Sequence, residues 1–69
     1  MSTASVEATA AELSAAAEAV GTYQRRVGAL AAPHLGTARE DLVAAIYEAE
    51  RSLRTAERQL QRAIKLARG

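Results

Sequence analysis

The chain has 69 residues, a formal net charge of +1 and no cysteine. A chain of this length forms one small domain that buries a limited part of its surface. Disulfides and thiolate metal sites are excluded, so association with another chain is the expected source of additional stability. The near-zero net charge gives no general attraction to nucleic acid or anionic membranes.

The first predicted element is a helix over residues 5–32 with a strict seven-residue repeat. Its expected core row is Val6, Leu13, Val20 and Val27. The rows on either side are Thr9, Ala16, Tyr23 and Leu30, and Ala10, Ala17, Gln24 and Ala31. Such a repeat over four heptads favours coiled-coil packing over a loosely amphipathic surface helix.

Two glycines, Gly21 and Gly28, lie seven residues apart inside this helix, in the same row as Ser14. Each costs about 1 kcal/mol against alanine in a helix interior. Either the small row lets another helix approach closely, or the glycines are tolerated on the surface of an alanine-rich helix.

A turn is predicted over residues 33–36. Pro33 disfavours continuation of the first helix, and Gly36 supplies a flexible position. Thr37 and Glu40 have the spacing of a capping box, which predicts a second helix that begins at Thr37.

The second helix is predicted over residues 37–67. Its two seam rows are Ile46, Leu53, Leu60 and Ala67, and Leu42, Ala49, Ala56 and Ala63. Val43 and Ile64 widen this stripe at its ends, while Glu50 and Glu57 interrupt it. The alanines of the second row predict a short distance between the helices.

An antiparallel hairpin centred near residue 35 would pair position i with about 70 − i and bring Tyr23 level with Tyr47. The charges favour this arrangement. Residues 1–24 carry three glutamates and no Lys or Arg, whereas residues 51–69 carry six basic residues and one acid. The expected fold is therefore all-α: a single domain over 1–69, an antiparallel two-helix hairpin that dimerises into a four-helix bundle. A different helical protein could replace the second copy.

The expected protein interface uses exposed apolar and aromatic positions, namely Tyr23, Leu30, Val43 and Tyr47, because tyrosine suits surfaces that are half apolar and half wet. Ordinary packing within the chain is the alternative interpretation.

A basic stripe follows one face of the second helix and comprises Arg51, Arg54, Arg58, Arg62 and Lys65. It is interpreted either as a phosphate-contacting surface or as a solvated face placed favourably near a helix C-terminus. His34, the one histidine, fits a turn residue better than a metal ligand.

No catalytic, cofactor-binding or metal site is predicted, because the chain lacks a nucleophile paired with a base and a Gly-rich phosphate loop. No signal peptide or membrane span is recognised, so the expected location is the cytoplasm, with leaderless secretion left open. The dominance of Arg over Lys suits a GC-rich bacterial genome.

In outline the chain resembles the small secreted helical hairpins of the WXG100 type, which pair into four-helix assemblies. The hairpin and Gly36 carry this resemblance; His34 stands where that family has Trp, and Arg51 stands four residues after Tyr47 where its export signal has an acid. The chain is also similar in shape to plasmid-copy-control hairpin dimers.

The expected function is a non-catalytic protein–protein interaction module that self-associates and binds a protein partner as a small adaptor or regulator. The alternatives are a nucleic-acid-binding hairpin that uses the basic stripe, and a subunit of a secreted WXG100-like heterodimer.

Overall fold

The computed structural model describes residues 3–69, and side chains from residue 5 onward. Helix α1 spans Thr3–Ala29 and helix α2 spans Glu40–Arg68, with a short 3₁₀ helix, Ala32–His34, between them. The two long helices pack against each other, which confirms the predicted all-α two-helix hairpin. The first two residues of the predicted domain lie outside the described part.

The hairpin is long and thin, with extents of 55 × 13 × 13 Å. Its radius of gyration is 16.2 Å, against about 11 Å for a compact domain of this length. A single layer of two helices leaves one side of each helix without a helical neighbour.

The chain reverses direction at a type II turn over His34–Thr37. Leu35 has φ −64° and ψ 134°, Gly36 has φ 75°, and the Thr37 N–H donates to the His34 carbonyl at 3.2 Å. A type II turn requires positive φ at its third residue, and glycine adopts it without steric cost. Gly36 thus lies in the turn, as predicted, and it adopts the positive φ that this turn requires.

The predicted capping box is wrong. The Thr37 hydroxyl is held inside the turn, where it donates to the His34 carbonyl at 2.7 Å and accepts from the Arg39 N–H at 3.2 Å. The first helical bond of α2 runs from Val43 N–H to the Arg39 carbonyl, and the helix begins at Glu40, not Thr37. Thr37 belongs to the type II turn, so α2 begins three residues later than predicted.

In α1 the centre of the hairpin seam is an alanine row rather than the predicted valine row. Ala10, Ala17 and Ala31 are 5%, 2% and 0% exposed. The predicted core row is less buried: Leu13, Val20 and Val27 are intermediate, and Val6 is exposed. Small side chains occupy the centre because they allow the helices to approach closely.

In α2 the row that faces α1 is Val43, Glu50, Glu57 and Ile64, which had been predicted as the interrupted margin of the stripe. Ile64 is the buried large side chain of this helix at 5% exposure. The predicted alanine row lies to one side of it, and Ala49 in that row is exposed.

The predicted register is also wrong, by about two helical turns. Gly21 lies opposite Glu57 rather than Ala49, and Gly28 lies opposite Glu50. Both pairs place the centre of the register about four residues later than residue 35. Tyr23 and Tyr47 are therefore not level with each other.

A candidate interaction face

In α1 the row of small residues and the row of aliphatic residues lie on opposite sides of the central alanine row. A helix turns by about 100° per residue, so the small row Ser14, Gly21 and Gly28 lies on one side of the central alanines. The aliphatic row lies on the other side, and next to it comes the row that contains Tyr23 and Leu30. The α1 part of this second side consists of Val6, Thr9, Leu13, Ala16, Val20, Tyr23, Val27 and Leu30.

The same reasoning divides α2. Arg54 and Arg68 lie on one side of its central row, and the aliphatic residues lie on the other. Arg68 Nη2 donates to Ser14 Oγ at 3.5 Å, which places the arginine row beside the small row of α1. The aliphatic rows of the two helices therefore share the opposite side, where α2 contributes Leu42, Ile46, Ala49, Leu53, Ala56, Leu60, Ala63 and Ala67.

These sixteen residues form one side of the hairpin, which we term the apolar face. None of them is charged. Tyr23 and Leu30 are 54% and 60% exposed, and none of the other residues of the face is classed as buried. An uncharged surface formed by both helices is the type of patch that marks an interaction site.

The opposite side of the hairpin is polar. The Gln24 amide donates to the Glu50 carboxylate at 3.2 Å, and Arg54 pairs with the same carboxylate at 3.3 Å. The Glu57 carboxylate contacts the small row at Gly21. The polar groups of the seam thus lie on one side of the hairpin and are absent from the apolar face, which gives the hairpin two unlike surfaces.

The accessible surface of the chain is large for its mass. It amounts to 5140 Å², whereas a compact monomer of 7.3 kDa exposes about 4,200 Å². The excess of about 1,000 Å² is comparable to the area that each partner buries in a protein–protein interface of standard size.

The four residues predicted to form an interface do not share one surface. Tyr23 and Leu30 lie on the apolar face, whereas Val43 lies in the seam between the helices and is half-buried. Tyr47 lies in the row of Arg54 and Arg68, on the polar side, and is 39% exposed. Heptad position alone grouped them because the predicted seam lay in other rows of each helix.

The basic stripe is exposed at all five positions and lies away from the apolar face. Two of its members already have partners within the chain, since Arg54 pairs with Glu50 and Arg58 Nη2 lies 3.4 Å from the Thr55 hydroxyl. Glu57, the one acid between Arg51 and Lys65, lies in the row that faces α1.

His34 ends the 3₁₀ helix, where its carbonyl accepts two bonds from Thr37. In the described residues, no three His, Cys, Asp or Glu side chains are grouped so that they could hold a metal ion. Neither described helix has an apolar stretch sufficient to cross a membrane.

Comparison with protein-family models, curated proteins and solved structures found no match to this chain.

Proposed function

We propose that the chain is a non-catalytic interaction module that self-associates through its apolar face, so that two hairpins form a four-helix bundle. The observation that carries the proposal is the uncharged, incompletely buried side of the hairpin to which both helices contribute. Each described helix is already packed on one side, and a second hairpin supplies the missing layer.

A second copy is the occupant that the surface area favours. The excess exposure of about 1,000 Å² exceeds the roughly 800 Å² that one partner contributes to a standard interface. Isologous pairing also needs one patch only, since the same surface serves both subunits. The assembled dimer would present Tyr47 and the basic stripe to a further protein partner, as a small adaptor or regulator does.

The basic stripe gives less support to nucleic-acid binding. Arg54 is engaged by Glu50, and the net charge of the chain is only +1. Affinity for phosphate backbones grows with the number of cations free to displace counterions.

The neighbouring residues Ala15 and Ala16 allow a matched test. Both are exposed in α1, but Ala16 lies on the apolar face and Ala15 lies on the solvent side of the helix. We expect Ala16→Arg to convert the dimer to a monomer, as measured by light scattering, because it places a charge inside the interface. Ala15→Arg is expected to remain dimeric.

Circular dichroism of both variants controls for folding, since an exposed alanine can be replaced without disturbing the hairpin itself. Equal masses for Ala15→Arg and Ala16→Arg would contradict the assignment of the apolar face.

A further inference from the structure

The apolar face is not uniform along its length. Near the turn it carries mostly large side chains, among them Tyr23, Leu30, Leu42 and Ile46. Towards the open end small residues alternate with aliphatic ones, and the small residues are Thr9, Ala16, Ala63 and Ala67. The order follows from the register, in which Gly28 is level with Glu50 and Gly21 with Glu57. The face is therefore thick at one end and thin at the other.

We infer that two copies of the chain pack face to face with their turns at opposite ends of the bundle; this inference rests on the proposed self-association. Closely packed interfaces place large side chains against small ones. The reversed orientation sets the thick end of each face against the thin end of the other. With turns at the same end, large residues would meet large ones and the thin ends would stand apart.

A shallow, open patch in the thin half of the face fits this orientation. It is lined by Ala8, Thr9, Glu12, Leu13 and Ala16, all of them on α1. When two α1 helices cross antiparallel about their midpoint near Val20, Tyr23 of one copy lies opposite Ala16 of the other. Leu30 likewise lies opposite Thr9. Both large side chains then pack against this shallow patch of the second copy.

Charges at the margin of the face point to the same orientation. Arg26 lies over the Tyr23 ring, 5.2 Å from its centroid, and the antiparallel crossing brings it opposite Glu12 of the second copy. Both residues are exposed, and within the described part of the chain neither forms an ion pair. If the turns were at the same end, Arg26 would instead lie next to the uncharged Ser52 of α2, and Glu12 would lie next to Leu66.

Spin labels at the turn distinguish the two orientations. The chain has no cysteine, so Ala38→Cys, an exposed loop position, gives a single labelled site outside the interface. We expect dipolar spectroscopy of the labelled dimer to report a distance close to the 55 Å length of the molecule. Turns at the same end would lie within about 30 Å, since packed helices are about 10 Å apart.

The outcomes are separable. A short distance in a dimeric sample overturns the orientation but leaves the self-association intact. A monomer without dipolar coupling overturns both.

A charge exchange provides a second, independent test. Glu12→Arg is expected to raise the dissociation constant of the dimer by about threefold to tenfold, because an exposed ion pair becomes a repulsion at two symmetric sites. Addition of Arg26→Glu should restore association, since the pair is recreated with reversed signs. Glu18→Arg, on the solvent side of α1, is the control and should leave the constant unchanged. A double variant that associates no better than Glu12→Arg would refute the contact.

Discussion

Glu50 and Glu57 lie in the row of α2 that faces α1, at positions that a heptad pattern reserves for apolar side chains. Each extends across a glycine: the Cδ atoms lie 3.1 and 3.3 Å from where a Cβ on Gly28 or Gly21 would stand. The seven-residue spacing of the two glycines allowed a close approach of another helix to be predicted at these positions. It gave no sign that glutamates would fill the space, because charge in a helix usually indicates solvent. Their aliphatic stems pack across the glycines, while the Glu50 carboxylate reaches Gln24 and Arg54.

The role of Glu50 in the seam can be measured against a matched glutamate. Glu50→Ala removes an acceptor for Gln24 and Arg54, and the Glu50 side chain is 21% exposed. We expect the free energy of unfolding to fall by about 1 kcal/mol in denaturant titrations. Glu48→Ala, an exposed site on the same helix, should change it by less than about 0.5 kcal/mol.

Because both variants replace Glu with Ala inside α2, helix propensity cancels in the comparison. The titrations are made at equal protein concentration, since association contributes to stability. Equal losses at the two positions would show that Glu50 is a surface residue without a structural role.

At the scale of the helices, the hydrophobic repeat predicted the hairpin but placed its seam one row away. Val20 and Val27 are more hydrophobic than Ala17 and Ala31, so the valine row looked central. Packing distance decided otherwise, because small residues permit a closer approach. The type II turn then set the register, which periodicity alone cannot specify, since a shift by a whole number of heptads preserves every row.

Ile64 tests where the hairpin seam lies. At 5% exposure it is the largest of the buried side chains, and Ile64→Ala is expected to lower the free energy of unfolding by about 2–4 kcal/mol through lost burial and a residual cavity. Leu66, on the same helix, is 72% exposed, so Leu66→Ala should cost less than about 0.5 kcal/mol. Thermal melts followed by circular dichroism would give both values. A larger loss of stability for Leu66→Ala than for Ile64→Ala would show that α2 turns a different face towards α1.

At the scale of the whole molecule, a hairpin only 13 Å thick cannot enclose its own apolar residues. Composition predicted this shortage, since the chain is rich in alanine and lacks Phe and Trp. What composition could not show is that the unburied residues gather on one side, whereas the polar partners of the seam gather on the other. That separation depends on which rows of the two helices face each other.

The most direct test of this account is sedimentation equilibrium of the unaltered chain over a range of concentrations. The account predicts a mass of twice the 7.3 kDa of the chain at micromolar concentration, with reversible dissociation on dilution. A helical species with the mass of one chain at every concentration, up to about 1 mM, would contradict it, because the apolar face would then be stable in water without a second copy.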